Sequence, residues 1–252
     1  MKRVGIVIPS IVTENEEWWR ESVRSVHNQT YGRANLRVVH VVRTEDEKDI
    51  PRWLYDLGDT VLPFVRPRDD PHTGVAQVCA GYDHLLECGD VDFVTMASAN
   101  DFIHKDKIVV EVVGLNATRS FVAYCDMVLF FPELDHVGHV TFEDPLSLGK
   151  MVGKNCVPDF AMVDVGVLRD VPFVADYGRM SFWVWWINVA RHYGGDVFLH
   201  VKEDMYFYRR NRENVSLDTR FVDEGNRLMT NWLHTEGLLP KDEQIVSNWI
   251  AL

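Results

Sequence analysis

The chain has 252 residues, 46% of them hydrophobic, with 8 Trp and 13 Phe; that is enough apolar material for a large core and excludes a disordered chain. The formal net charge of −12 argues against a nucleic-acid partner, which calls for a basic surface. Cys79, Cys88, Cys125 and Cys156 lack CxxC spacing and read as reduced thiols of a cytoplasmic protein.

The apolar run Val4–Ile8 is too short to cross a bilayer, and Pro9 and the acids Glu14, Glu16 and Glu17 follow it. Neither a membrane span nor a secretion signal is therefore expected. Residues 3–11 read as a buried strand and residues 14–29 as an amphipathic helix with acids in its first turn. A second buried strand follows over 36–42, a short helix over 49–57 and a third strand over 60–65. Residues 67–71 read as a loop, residues 74–87 as a helix ending near Gly89, and residues 92–97 as a fourth strand. This alternation predicts a parallel sheet with right-handed crossovers.

The second half is less regular. Strands are expected over 121–131 and, shorter, over 137–142, with a loop over 149–159. A Trp-rich helix over 180–193 is apolar almost all round and should be buried. Residues 197–208 form one long strand or a strand pair, and terminal helices are expected over 221–236 and 242–249.

The fourth strand ends in Met96-Ala97-Ser98-Ala99-Asn100-Asp101 and is followed by a helix opener, His104-Lys105-Asp106-Lys107. The carboxyl end of a parallel strand opens on the crevice where α/β proteins bind ligands. Asp101 has two readings there: a metal or donor contact, or a helix N-cap or turn residue.

Several segments carry a resemblance. Val4-Gly5-Ile6-Val7-Ile8-Pro9-Ser10 precedes Glu21-Ser22-Val23-Arg24-Ser25-Val26-His27-Asn28-Gln29-Thr30-Tyr31, and Lys105-Asp106-Lys107-Ile108 follows the fourth strand. Later come residues 186–194 and Tyr208-Arg209-Arg210-Asn211-Arg212-Glu213-Asn214-Val215-Ser216. In this order the chain resembles the family 2 glycosyltransferases of GT-A fold over residues 3 to 216. The resemblance implies a nucleotide-binding α/β/α sandwich with a mostly parallel central sheet and a C-terminal acceptor-side extension. It divides the chain into a transferase domain, 1–216, and a helical extension, 217–252, packed on the same domain. It implies transfer of a sugar from a nucleoside-diphosphate donor to an unknown acceptor, with a divalent cation, Mn²⁺ or Mg²⁺, or cationic groups at the diphosphate.

Carried onto this sequence, the resemblance places Pro9, Ser10, Arg43, Ser98, Asn100, Asp101, Arg209 and Arg210 at the donor, with Asp101 and Asn100 toward the metal. Four departures qualify it. The acidic metal motif is reduced to Ser98-Ala99-Asn100-Asp101, and neutral Asn is a weaker ligand for hard cations than a carboxylate. The nucleobase segment is Arg43-Thr44-Glu45-Asp46, and the phosphate-facing Arg is absent near Gln77-Val78-Cys79-Ala80-Gly81; Arg66 and Arg68 lie just upstream. The family's acidic pair falls on Ser181 and Phe182, so the nearest upstream acid, Asp176, is the candidate base, with Asp159 and Asp164 as further options.

Arg209, Arg210 and Arg212 form the best basic cluster, and a guanidinium fork suits a diphosphate. Trp183, Trp185 and Trp186 read as core, the alternative being that one of them edges an acceptor cleft. His136 and His139 have a zinc-like spacing without a further ligand pair, which points to a turn or surface role. The alternatives to an ordinary transferase are a GT-A-fold binding protein without catalysis, and a metal-independent or retaining transferase.

Overall fold

The computed structural model describes residues 1–66, 73–133, 136–143, 147–210 and 219–245. Its first strand, β1 (Val4–Ile11), pairs in parallel with β2 (Leu36–Thr44) on one side and β4 (Phe93–Met96) on the other. β2 in turn pairs in parallel with β3 (Thr60–Val65). These strands are near-continuous apolar runs because helices cover both faces of the sheet.

Side-chain alternation along β1 assigns the two faces. Ile6 and Ile8 pack with Trp19, Val23 and Val26 of α1 (Glu16–His27), Leu54 of α2 (Arg52–Tyr55), and Ile108 and Val112 of α4 (Lys107–Ala117). Val7 packs with Val78, Tyr82 and Leu85 of α3 (Thr73–Cys88) on the other face. α1 begins two residues later than the sequence suggests, because the Asn15 side chain accepts from the amides of Glu17 and Trp18 and caps it.

Beyond β4 the sheet becomes mixed. β8 (Met162–Asp164) lies antiparallel between β4 and β6 (Val122–Phe131), and β9 (Phe198–Arg209) runs parallel to β6. Two-residue β5 (Phe102–Ile103) and β7 (His136–Val140) complete the order β3-β2-β1-β4-β8-β6-β9-β5, with β7 on β6. The described residues thus form a nine-stranded sheet whose longest ladders are parallel.

The expected loop over 149–159 begins instead with a helix, α5 (Leu148–Gly153), which Ser147 caps at the Lys150 amide. α6 (Val165–Asp170) follows β8 directly, with the Asp164 carboxylate capping the Gly166 amide at 2.7 Å. α7 (Ser181–Tyr193) is buried along most of its length, and Met229, Trp232 and Leu233 of α8 (Thr219–Thr235) join the same core. Residues 241–245 are not helical; residues 246–249 of the expected last helix, and the expected boundary at 216/217, lie outside the described residues.

Candidate functional site

The order β3-β2-β1-β4 contains a reversal. The chain steps outward from β1 to β2 and β3, then returns across β1 to form β4. In open α/β sheets this topological switch leaves a crevice beyond the carboxyl ends of the two central strands, here β1 and β4. The β1 end carries Pro9 and Ser10, the β4 end runs into Ala97–Asp101, and Arg43 lies near the end of β2, paired with Ile11.

Gln77 of α3 keeps the first two strand ends in place. Its side chain is 2% exposed, and its amide donates to the carbonyls of Ser10 (2.7 Å) and Val41 (2.6 Å). The Ser10 hydroxyl is buried at the same strand end and has no hydrogen-bond partner. Among the described residues it is thus a buried polar group left unsatisfied at a strand end of the switch point, which calls for an explanation such as a polar ligand.

The β4 end is braced from behind. Asp101 is 2% exposed; one carboxylate oxygen accepts from the Tyr206 hydroxyl at 2.8 Å and the other from the Arg209 amide at 2.9 Å. Burial pushes its pKa up to about 7, against the lowering effect of those two hydrogen bonds and of the Arg209 charge. The Tyr206 hydroxyl also accepts from the Ser98 amide at 3.2 Å, so Tyr206 ties Ser98 and Asp101 to β9. Ser22 of α1 donates to the Ser98 carbonyl at 2.7 Å, and the Ser98 hydroxyl donates to the Asn100 side-chain oxygen at 2.5 Å.

This donor set does not fit a hard divalent cation. Mg²⁺ and Mn²⁺ call for accessible carboxylate oxygens. Asp101 is engaged at both oxygens and closed off from solvent, and Asn100 supplies one neutral oxygen that already accepts from Ser98. Among the described residues no group of three or more His, Cys, Asp or Glu is arranged to hold a metal.

The arginines differ in setting. The Arg209 guanidinium pairs with Glu21 and lies over the Trp18 ring, 4.8 Å from its centroid, so α1 fixes it near the crevice. Arg210 is 7% exposed and its amide donates to the Phe130 carbonyl at 2.7 Å. Arg43 is likewise 7% exposed, and its carbonyl accepts from the Val12 amide. Arg66 closes β3, its guanidinium 5.5 Å from the Phe64 ring centroid; Arg68, Asn211 and Arg212 lie outside the described residues.

Asp159 occupies a different kind of place. β8 runs antiparallel to β4 with Val163 opposite Val94, so the residues just before β8 pass the carboxyl end of β4. The carbonyl of Phe160 is held by Thr95 (2.9 Å) and by the buried Lys107 ammonium (3.1 Å), and the Phe160 ring stacks on Tyr206 at 3.8 Å. Solvent reaches the Asp159 side chain, yet protein surrounds it so closely that desolvation alone pushes its pKa up to about 7.

Asp176 is exposed on the turn that precedes α7, and its charge adds to burial in raising the pKa of the partly buried Cys79 thiol. Asp164, the other option, caps α6. Trp183, Trp185 and Trp186 are core residues, 2% exposed or less; the first two donate their indole N–H to the carbonyls of Met151 and Val171. His136 and His139 lie three apart on β7 and point to opposite faces, so they share no ligand; His139 pairs with Asp204 at 2.8 Å. The residues that sequence reasoning missed are Tyr206 and Gln77. Gln77 left one signal, a lone amide among Val75, Ala76 and Val78, whereas Tyr206 left none.

Comparison with solved structures places this fold among GT-A glycosyltransferases. The S. aureus TarS fragment 1–349 in complex with UDP-GlcNAc superimposes with a TM-score of 0.63 at 13% identity, over 91% of this chain and 66% of that one. A mannosyltransferase from Pyrobaculum calidifontis, in complex with GDP-Man and Mn²⁺, gives 0.61 at 13% identity, over 95% and 65%. Glucosyl-3-phosphoglycerate synthase from Mycobacterium tuberculosis, in complex with Mn²⁺, UDP and phosphoglyceric acid, gives 0.60 at 14% identity, over 95% and 80%. The chain therefore spans just under two thirds of the length of the first two. No protein-family model matches the sequence, and no curated protein matches it.

Proposed function

We propose that the chain is a glycosyltransferase that binds a nucleoside-diphosphate sugar in the crevice between the ends of β1 and β4. The observation that carries this reading is the switch point itself, with Ser10 at the carboxyl end of β1 and the Ser98–Asn100 segment following the carboxyl end of the adjacent β4. The complexes of the structural relatives with UDP, UDP-GlcNAc and GDP-Man support the ligand class. In this reading Pro9, Ser10, Arg43, Ser98 and Asn100 line the nucleotide. Arg209 and Arg210 supply positive charge for the diphosphate, where charge develops as the bond to the sugar breaks. Asp101 is the brace that holds Ser98 and Arg209 in register.

Because the donor set does not fit a hard cation, binding is proposed to be independent of a protein-held metal. Isothermal titration with UDP and with GDP, each with and without Mn²⁺, tests both statements. The expected result is a dissociation constant between about 1 μM and 1 mM for one of them, little changed by Mn²⁺. Binding of neither nucleotide removes the reading in favour of a GT-A-fold protein without donor chemistry. Binding that appears only with Mn²⁺ removes its metal-independent part.

A further inference from the structure

We infer that Asp159, delivered by the turn before β8, is the general base that activates the acceptor hydroxyl. The inference rests on the donor reading above and adds the residue that the expected acidic pair, here Ser181 and Phe182, does not supply. Ser181 is 1% exposed and turned to the Tyr177 amide, which donates to its hydroxyl at 3.2 Å, and Phe182 is core.

Three features distinguish Asp159 from the other acids. It is accessible, where Asp101 is closed and engaged at both oxygens. Its backbone is fixed, since Thr95 of β4 and Lys107 of α4 both hold the next carbonyl and Tyr206 of β9 stacks on the next ring. That fixing links it to the same Tyr206 that anchors Ser98, so the turn and the donor segment share one support. A base held on rigid elements is oriented in advance of substrate binding.

The electrostatics agree with the geometry. The titratable groups around the turn are Tyr82 of α3, Tyr206 of β9 and Lys107 of α4, the last committed to Glu111 at 2.7 Å. Among the described residues no cation's attraction lowers the Asp159 carboxyl, and its proximity adds to burial in raising the pKa of the Tyr82 phenol, whose buried oxygen has no hydrogen-bond partner among them. A carboxylate whose pKa lies near the working pH is suited to proton abstraction.

In the step itself, the Asp159 carboxylate takes the proton of the acceptor hydroxyl as that oxygen bonds to the anomeric carbon. The bond from that carbon to the β-phosphate oxygen breaks on the opposite side, and the nucleoside diphosphate leaves with the electron pair. The configuration at the anomeric carbon is inverted.

The test measures nucleoside diphosphate release from UDP-GlcNAc and from GDP-mannose, with water as acceptor, across pH 5 to 9, beside UDP and GDP titrations of the same samples. Asp159→Asn is expected to slow release by about 10²- to 10⁴-fold, to abolish the acid limb near pH 7 and to leave nucleotide affinity unchanged; Asp159→Glu restores part of the rate. The carboxyl carbon of Asp159, followed by NMR in the folded wild-type protein, is expected to titrate near 7. Release by Asp159→Asn at the wild-type rate, or loss confined to Asp176→Asn, overturns the assignment. So does a carboxyl that titrates near 4. Wild-type protein that binds nucleotide but releases none overturns the base and leaves the donor site standing, whereas wild-type protein that binds neither nucleotide overturns both.

Discussion

Asp101 shows how one carboxylate carries different meanings at two levels of description. In the sequence it is the last acid of an eroded motif at a strand end; in the fold it is the buried acceptor for Tyr206 and the Arg209 amide, 105 and 108 residues away. Asp101→Asn keeps one acceptor oxygen but sets an amide donor against one of those two donors. Leaving a buried polar group unsatisfied costs about 1 to 3 kcal/mol. Urea unfolding is therefore expected to show a loss of that size for Asp101→Asn, and a loss of about 1 kcal/mol or more for Tyr206→Phe. Unaltered stability in Asp101→Asn would return the residue to a solvent-facing ligand role. The strand end was readable because small residues after an apolar run mark a β-to-loop transition. Its partner on β9 was not, because a hydrogen bond across the sheet leaves no trace in local spacing.

At the scale of elements, α3 sits on β1 with unusual closeness. A Cβ at Gly81 would come within 2.5 Å of Val7, and one at Gly5 within 2.6 Å of Leu85. Two facing glycines thus let the helix approach the strand whose end bears Ser10, which brings Gln77 within reach of the Ser10 and Val41 carbonyls. Gly81→Ala gains helix propensity but overpacks this contact, a change that costs about 1 to 3 kcal/mol. Its expected signature is a lowered midpoint of unfolding together with weaker nucleotide binding, read by urea titration and calorimetry. A stabilised Gly81→Ala would show that the interface yields. β1, β2, α1, α3, α7 and β9 were legible because each sustains a period or a buried run over enough residues, and the shorter β3 and β4 because turn signals bound their apolar runs. β5, β8, α5 and α6 were not, since two to six residues carry no readable period and their existence depends on pairing or capping partners.

Over the whole molecule, the buried acids give stability a defined pH dependence. Asp101 and Glu111 are each raised to about 7, mainly by burial, from ordinary values near 4. An acid raised in the native state favours folding fully below its unfolded pKa, and that contribution is lost as pH rises through about 7. Asp59 works in the opposite sense. Burial opposes its ionisation, but hydrogen bonds with His27 (2.7 Å) and His40 (3.0 Å) hold its carboxyl well below the usual range. Its contribution is present above about pH 4 and lost below. The net charge of −12 adds self-repulsion that grows as acids ionise. Thermal melts are therefore expected to peak between about pH 4 and 6 and to fall toward pH 8; a maximum at pH 8 would show that the two acids are not desolvated as described.

The sequence by itself determined the α/β class, the parallel pairing of the first four strands, and the strand-end position of the Ser98–Asp101 segment. Each of these follows from local physics: buried apolar runs, helical periodicity and the small residues that end strands. Tertiary structure alone decided what the carboxylates do. It enclosed Asp101 between β4 and β9, left Asp176 on an exposed turn, and brought Asp159 past the carboxyl end of β4 by inserting β8 antiparallel beside it. A carboxyl's role depends on desolvation and on its hydrogen-bond partners, and both are supplied by residues distant in the chain.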